Sequence, residues 1–307
     1  MPLATLFKSK GPTGFGANST AEDVTAGLSL AGRTILVTGC TSGLGAEACR
    51  VLSLRDATVL GTARTQEAAE RACAALPKPG VGYPCELAEP ASVRGCVEAI
   101  QRDGHRLDAI ICNAGIMALP KLQTAYGYEL QFFTNHIGHF ILVTGLLDAL
   151  ADDGRVVMLS SMAHGNAPAG GIQFDNLKGE RGYSPWANYG QSKLANLLFA
   201  RELQRRFAGT RKTAYAVHPG VIHTNLARSM GKLTDFALSI AAPFFLKTIP
   251  EGAATEVFAA VHPKALPLAG QYLADCNLGK PSNYAQDAEL ARRLWAVSEE
   301  IVRSLPT

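Results

Sequence analysis

A tyrosine and a lysine stand four residues apart in the chain, at Tyr189 and Lys193. The residues after them put Leu194, Leu197 and Leu198 at the spacing of a buried helix face, which predicts a helix. Because positions i and i+4 share one helix face, the phenol and the ammonium can enter one site. We expect the cation to lower the pKa of the phenol from about 10 toward neutral pH. Such a group can exchange a proton with an alcohol or carbonyl oxygen, although surface residues also show this spacing.

A glycine-rich turn lies between a predicted strand at 33–39 and a predicted helix at 46–52. Strand, glycine turn and helix in this order are typical of a phosphate-binding βα unit. The glycines let the backbone approach a pyrophosphate, and the first amides of the helix hold it. The spacing is Gly-x-x-x-Gly-x-Gly, from Gly39 through Gly43 to Gly45, rather than the common Gly-x-Gly-x-x-Gly.

The second predicted strand, 58–64, ends on Arg64. Nucleotide-binding folds that use NAD place an acidic residue near this point for the ribose 2′-hydroxyl, whereas an arginine accommodates the 2′-phosphate of NADP. No acid occurs at this strand end, so the sequence favours NADP. A solvent-facing arginine without a ligand is the alternative.

Strand and helix patterns alternate along the rest of the chain. The predicted strands are 81–85, 107–112, 155–161, 213–218 and 271–274, and the predicted helices include 91–101, 132–150 and 288–302. This alternation predicts one α/β domain, a Rossmann-like doubly wound parallel sheet of about seven strands with helices on both faces. Ligands bind such sheets at the carboxyl ends of the strands. The glycine turn, Arg64, Asn113, Ser161 and Pro219 all fall there.

Two segments lie outside this alternation. Residues 1–29 predict an arm before the domain of 30–307: 1–18 are expected to be loosely held, and Ser19-Thr20-Ala21-Glu22 predicts a short capped helix through Thr25. The apolar stretch 236–246 is too short to span a bilayer and contains Pro243. We expect it to belong to a substrate flap at about 225–250, with membrane-surface contact as the alternative.

Composition excludes several classes of protein. A net charge of +3 and the absence of a basic run argue against nucleic-acid binding. The seven cysteines form no Cys-x-x-Cys pair, which predicts reduced core thiols in a cytoplasmic protein rather than disulfides or a zinc site. No secretory signal is recognisable. His136 and His139 lack metal-ligand spacing and predict helix-packing groups, while His164 is expected to be structural or to line a pocket.

Taken together, the motifs resemble the short-chain dehydrogenase/reductase family from about residue 30 to the end. The resemblance is carried by Thr38-Gly39-x-x-x-Gly43-x-Gly45, Asn113-Ala114-Gly115, Asn135, Ser161, Tyr189-x-x-x-Lys193 and Pro219-Gly220. Within the family the chain is most similar to the retinol-dehydrogenase-like branch and the dehydrogenase of the plastid translocon. The signatures of that branch are Asn135-His136-Ile137-Gly138-His139-Phe140, Ser160-Ser161-Met162-Ala163-His164 and His218-Pro219-Gly220.

The resemblance implies an NADP(H)-dependent carbonyl reductase or alcohol dehydrogenase. Tyr189 would be the acid/base, Lys193 would hold the nicotinamide ribose, Ser161 would bind the substrate oxygen and Asn135 a relay water. The implied cofactor contacts are Gly39, Thr41, Ser42, Gly43, Leu44, Gly45, Arg64, Glu86, Leu87, Asn113, Ala114, Gly115, Tyr189, Lys193, Pro219, Gly220, Val221 and Thr224. No metal is implied.

Two departures from the family pattern stand out. Glu86 replaces the usual aspartate at the adenine, and the gap from Ser161 to Tyr189 is long, which predicts an inserted loop near the substrate. The implied substrate is a small hydrophobic alcohol or carbonyl compound, and family analogy suggests a homo-oligomer. The alternative function is a cofactor-binding scaffold or redox sensor with little turnover, in which Cys40 of the glycine turn would be either the sensor or a small filler.

Overall fold

An eight-stranded sheet forms the centre of this computed structural model, which describes residues 10–222 and 247–306. In chain order the strands are β1 (Thr34–Thr38), β2 (Thr58–Ala63), β3 (Val81–Pro84), β4 (Leu107–Cys112), β5 (Thr124–Ala125), β6 (Tyr128–Glu129), β7 (Leu150–Leu159), β8 (Thr213–His218), β9 (Tyr272–Ala274) and β10 (Asn277–Leu278). The sheet order is β3-β2-β1-β4-β7-β8-β9-β10, and β5 pairs with β6 in a separate hairpin. All neighbours in the large sheet are parallel except β9 and β10.

Helices cover both faces of this sheet, as predicted. They are α1 (Ala21–Val24), α2 (Gly43–Leu54), α3 (Gln66–Ala74), α4 (Pro90–Arg102), α5 (Leu130–Phe132), α6 (Gly138–Gly145), α7 (Pro185–Arg206), α8 (Ile249–Val261) and α9 (Ala288–Ser304). One apolar core contains residues of α4 to α7 and α9, and the other contains residues of α1, α2, α3 and α8. Successive side chains of a strand pack in opposite cores. In β1, Leu36 packs in the first core, and Ile35 and Val37 pack in the second.

The predicted sheet of about seven strands is confirmed; the eighth is the two-residue β10, which is too short to leave a sequence pattern. The structure differs from the predicted elements around β7. Strand β7 begins at Leu150, not at 155, because Leu150 already pairs with Leu107 of β4. The register then shifts, and regular pairing with β4 continues from Arg155. The predicted helix 132–150 therefore ends early, at Gly145.

That predicted helix is also interrupted by a π-helical segment, Phe133–Ile137, between α5 and α6. Its widened turn is closed by the N–H of Gly138, which donates to the carbonyl of Phe133. Gly138 lies against the next layer so closely that a Cβ there would meet the Leu87 carbonyl oxygen. π-Helical turns occur frequently at functional sites, and this one contains Asn135.

The N-terminal arm is packed from residue 10 onward, rather than loosely held. Asn277 Oδ1 accepts hydrogen bonds from the Thr13 hydroxyl at 3.0 Å and from the Thr13 N–H at 3.1 Å. The Phe15 ring meets the Phe258 ring edge-on, with 5.8 Å between centroids. The short helix α1 is confirmed, but its capping box joins Thr20 to Asp23 and it ends at Val24.

The predicted flap lies mostly outside the described residues, as do the apolar stretch 236–246 and Thr224. The described chain resumes at Lys247, which forms an isolated parallel β-bridge with Ile222. The next residue, Thr248, is the N-cap of α8. Within 10–222 and 247–306, no helix has the length and apolarity needed to cross a bilayer.

Candidate active site

The glycine turn adopts a backbone that side chains would block. Gly39 and Gly43 have φ angles of +77° and +60°, in the left-handed region that favours glycine. A Cβ on Gly45 would lie within hard contact of the Gly39 carbonyl oxygen. The side chain of Asn113 braces the turn, since its Nδ2 donates to the Thr38 carbonyl at 2.8 Å. These contacts hold the start of α2 tightly against the ends of β1 and β4.

The start of α2 is open to an anion. Ser42 is the N-cap, but its side chain makes no capping hydrogen bond, and the first turn of the helix carries no acidic residue. A Cβ built on Gly43 would meet nothing within 4 Å. The first amides of a helix lack intrahelical partners and carry partial positive charge. Residues 41–45 therefore fit the pyrophosphate of a dinucleotide, as the sequence predicts.

The residues predicted for the adenosine side follow β2, β3 and β4 at the same sheet edge. Arg64 is exposed directly after β2 and makes no ion pair with any described residue. Leu87 is buried beneath Gly138. The carboxylate of Glu86 accepts a 3.3 Å hydrogen bond from the Ala88 N–H, so part of its bonding capacity is used within its own loop. Asn113 completes this edge beside the glycine turn.

The four candidate catalytic residues meet at one point of this edge. The Ser161 side chain lies close enough to the phenol of Tyr189 to oppose the effect of burial on the pKa of that phenol. The Nζ of Lys193 is 5.7 Å from the centroid of the Tyr189 ring and donates to the Leu159 carbonyl at 3.0 Å. A Cβ on Gly115 would lie 2.9 Å from Asn135 Oδ1 and 3.4 Å from Lys193 Nζ, which places both groups against the same glycine.

Asn135 is anchored through its whole side chain. Its Oδ1 accepts the Ile116 N–H at 2.8 Å, and its Nδ2 donates to the Ile116 carbonyl at 2.9 Å and to Ser192 Oγ at 2.9 Å. The side chain thus ties the π-helical segment to the loop after β4 and to α7. Both Nδ2 hydrogens are used, whereas Oδ1 accepts one hydrogen bond and keeps a second lone pair. A relay water on Asn135 stays a prediction.

Burial dominates the protonation of the site. It raises the pKa of Tyr189 to about 12, against the opposing effect of the Ser161 side chain. It also lowers the pKa of Lys193 to about 8. The expectation that Lys193 lowers the pKa of Tyr189 is therefore wrong for the protein alone. The physical reason is that burial removes the hydration of the phenolate. The attraction of the Lys193 ammonium, which is directed at the Leu159 carbonyl, does not offset this loss.

Three supporting residues could not be assigned from the sequence. Ser160 Oγ donates to the Lys193 carbonyl at 2.7 Å, and Ser192 Oγ donates to the Tyr189 carbonyl at 2.8 Å. Asn196 Nδ2 donates to the Leu159 carbonyl at 3.0 Å, the same oxygen that Lys193 uses. Their only signal in the sequence is proximity to the motif residues. The bonds of Ser160 and Asn196 fix α7 on the end of β7, whereas the Ser192 bond lies within α7.

His136 and His164 are structural groups. The ring of His136 bonds Ser298 Oγ in α9 at 2.8 Å, which confirms its helix-packing role. His164 Nδ1 donates to the Ser161 carbonyl at 2.6 Å, and its Nε2 accepts the Ser282 N–H at 2.9 Å, which favours the structural interpretation over pocket lining. No group of three metal-binding side chains occurs among the described residues.

The loop after β8 closes the other side of the site. Gly220 has a φ of +94°, and a Cβ there would lie 2.5 Å from Lys247 Cδ. The Val221 carbonyl accepts the Lys247 N–H at 2.8 Å. This contact joins the Pro219-Gly220-Val221 segment to the chain that re-enters at 247 and leads into α8.

Exposed apolar side chains occur on the segments that carry the catalytic candidates and on the loop after β8. Met162, next to Ser161, is 61% exposed, and Val221 is 45% exposed. Trp186 is 43% exposed and meets the Tyr189 ring edge-on, with 6.1 Å between centroids. We call these three residues the apolar rim. Exposed apolar groups beside buried polar ones are typical of small-molecule sites.

Known proteins are similar to this chain in both sequence and fold. The family model for short chain dehydrogenases matches residues 33–234. The chain is 42% identical to Short-chain dehydrogenase TIC 32 A, chloroplastic, of Brassica napus, over 96% of this chain and 97% of that protein. It is 37% identical to human retinol dehydrogenase 14, over 88% of this chain and 86% of that protein.

A solved structure adds a bound cofactor to the comparison. The blue fluorescent protein from a metagenomic library, crystallised in complex with NADPH, superposes with a TM-score of 0.62 and is 25% identical. The match covers 80% of this chain and 96% of that chain. The sheet and its site edge therefore correspond to those of a protein that binds this dinucleotide.

Proposed function

The chain belongs to the short-chain dehydrogenase family, and we propose that it is an NADP(H)-dependent oxidoreductase that interconverts a hydrophobic alcohol and its aldehyde or ketone. The observation that carries the proposal is the buried Tyr189 phenol, with the Ser161 side chain and Lys193 next to it. This group lies at the sheet edge that also carries the open start of α2. A proton donor and a dinucleotide cleft at one edge suit hydride transfer to a carbonyl.

Each catalytic candidate has a distinct task in this proposal. NADPH, when bound, supplies the hydride to the carbonyl carbon. Ser161 donates a hydrogen bond to the carbonyl oxygen and so favours the charge that develops there. Tyr189 gives its phenolic proton to that oxygen, which leaves an alcohol and a phenolate. The Lys193 ammonium stabilises this phenolate until solvent returns the proton.

The protonation of Tyr189 favours reduction near neutral pH. With a pKa raised to about 12, the phenol keeps its proton and is ready to act as an acid. Alcohol oxidation requires the phenolate, which is scarce until the pH rises. We therefore expect carbonyl reduction to be faster than alcohol oxidation at pH 7.

NADP is the proposed cofactor because the residue that follows β2 is an arginine and not an acid. Arg64 is exposed there without an ion-pair partner among residues 10–222 and 247–306, and no acidic side chain occupies the position. A guanidinium is suited to a 2′-phosphate, because it can donate two parallel hydrogen bonds to an oxyanion. The related structure with NADPH supports the same choice.

The apolar rim supports a hydrophobic substrate. Met162, Trp186 and Val221 present apolar surface beside Ser161 and Tyr189, so the body of the substrate would lie against them. The relative named retinol dehydrogenase 14 supports an apolar alcohol or carbonyl compound. The flap predicted at 225–250 and the nicotinamide contact predicted for Thr224 stay predictions, because residues 223–246 lie outside the described part of the chain.

The test is NADPH oxidation by the purified protein with a panel of aldehydes and ketones of increasing apolar size. We expect turnover that rises with apolar size and that is much weaker with NADH. A scaffold or redox sensor would bind NADPH without turning over any member of the panel. Cys40 is buried against Cys73 beside Gly61, as a small filler would be, which gives the sensor alternative no direct support.

Compartment and assembly stay predictions. All seven cysteines are buried and unpaired, which suits a reducing compartment such as the cytoplasm. The Brassica napus relative is named as chloroplastic, so an organelle is the alternative that cell fractionation would test. A homo-oligomer is expected only by family analogy, and sedimentation would test it.

A further inference from the structure

We propose that His139 is a positioning residue that ties the backbone of Asn135 to the cofactor turn. His139 is fully buried in α6, four residues after Asn135. Its Nδ1 is 2.9 Å from the Asn135 carbonyl oxygen, and its Nε2 is 2.9 Å from Thr38 Oγ1. Thr38 ends β1 directly before Gly39. The inference rests on the proposed function, since it assigns a role in the same site.

The direction of every hydrogen bond in this link follows from simple chemistry. A carbonyl oxygen can only accept, so Nδ1 of His139 must carry the ring proton. Burial first, and the charge of Lys193 in addition, lower the pKa of His139 to about 4, so the ring is neutral at pH 7 and Nε2 is an acceptor. The Thr38 hydroxyl therefore donates to Nε2. Its oxygen is then free to accept the Ala114 N–H, which lies at 3.0 Å.

The result is a continuous relay of hydrogen bonds from Ala114 through Thr38 and His139 to Asn135. It joins three segments that the proposed reaction needs in register: the loop after β4, the end of β1 and the π-helical segment. The Asn135 side chain is already fixed on Ile116, so His139 supplies a second anchor on the backbone. Networks of this kind, fully satisfied and buried, hold one arrangement in preference to others.

A displacement of Asn135 would directly affect the position of Lys193. Asn135 Oδ1 and Lys193 Nζ lie on the same side of Gly115, at 2.9 Å and 3.4 Å from the position of a Cβ there. A small displacement of the π-helical segment would therefore change the space that Lys193 occupies. Misplacement of catalytic groups by a fraction of an ångström lowers turnover strongly.

His136 provides a matched control on the same helical segment. It is also fully buried and hydrogen-bonded, but its partner is Ser298 in α9, on the side away from the cofactor turn. His136→Leu and His139→Leu remove similar packing and one buried imidazole each. We expect both to lower the melting temperature. Only His139→Leu should also lower kcat/KM for carbonyl reduction, by about tenfold or more.

Conservative variants of His139 separate its two bonds. An asparagine amide nitrogen falls near the Nδ1 position and can still donate to the Asn135 carbonyl, whereas a glutamine amide oxygen falls near Nε2 and can still accept from Thr38. We expect His139→Asn to retain kcat better than His139→Gln, and His139→Gln to retain the KM for NADPH better. Equal kinetics for wild type and His139→Leu, or equal losses in His136→Leu, would overturn the proposal.

The tautomer gives a readout that does not depend on activity or on any variant folding well. Nitrogen-15 NMR of the wild-type protein at pH 7 should show His139 neutral and protonated on Nδ1. A ring protonated on Nε2, or on both nitrogens, would overturn the proposed link. If the wild-type protein reduces no carbonyl compound, the proposed function fails, yet the tautomer measurement still decides whether this link exists.

Discussion

The pH dependence of carbonyl reduction tests the electrostatics of the site most fully. Burial lowers the pKa of Lys193 to about 8 and raises that of Tyr189 to about 12. Tyr189 therefore stays protonated from pH 6 to pH 10, while Lys193 loses its charge within this window. An amine with a pKa of about 8 is about 90% charged at pH 7 and about 90% neutral at pH 9. Since the ammonium stabilises the phenolate left by proton transfer, kcat/KM should be flat below pH 8 and fall about tenfold per unit well above it.

The assay is NADPH oxidation at aldehyde concentrations from below to above KM across pH 6 to 10, which gives kcat/KM at each pH, with Lys193→Arg as the comparison. An arginine stays charged throughout this range. Lys193→Arg should therefore be slower at pH 7, because the guanidinium is larger, but should lack the break near pH 8. A wild-type profile that is flat to pH 10 would refute the assignment of this charge to Lys193, as would a break that persists in Lys193→Arg.

Three further predictions concern separate regions of the molecule. Arg64→Ala should weaken NADPH binding about tenfold or more in titration calorimetry and change NADH binding little, whereas equal losses would mean that Arg64 does not bind the 2′-phosphate. Glu256 is fully buried, its carboxylate oxygens have no hydrogen-bond partner among the described residues, and burial raises its pKa from 4.5 to about 8. The folded protein thus keeps this acid neutral where the unfolded chain ionises it, so stability falls as the pH rises from about 4.5 to 8. Glu256→Gln should raise the free energy of unfolding in urea by about 1–3 kcal/mol at pH 8 and by little at pH 4.5, and a pH-independent change would contradict this cause. Trp295 packs on Phe140 and Phe199 with centroid distances of 5.0 and 5.4 Å, so Trp295→Ala should cost about 3–5 kcal/mol in the same experiment; a loss below about 1 kcal/mol would show that α9 is not part of the core.

The regular part of the fold could be predicted because its signal is local. Strands β4 and β8 match their predicted bounds, since each is a mainly apolar run that follows a basic residue and ends before Asn113 or Pro219. The features that were missed depend on distant contacts. The π-helical segment ends at Gly138, which lies close to Leu87, and the packed arm places Phe15 against Phe258. Neither contact leaves a periodic pattern in the segment that it changes.

The residues of the candidate site could be predicted from the sequence, but their pKa values could not. The motifs around Ser161, Tyr189 and Lys193 name residues that the fold does bring together. The depth of burial cannot be deduced from a helix pattern, so the direction of the Tyr189 pKa was wrong. His139 looked like a packing group for the same reason. Its partners Thr38 and Asn135 lie in different elements, and only the folded chain places them 2.9 Å from the ring.

The most direct test of the central claim is the activity of Tyr189→Phe. This change removes the phenolic oxygen while keeping the ring against Trp186 and leaving the glycine turn and Arg64 in place. We predict that NADPH still binds with nearly wild-type affinity, measured by fluorescence titration, and that reduction of every aldehyde and ketone in the panel falls by several orders of magnitude. Full turnover in Tyr189→Phe would contradict the account, because the proton would then come from another group.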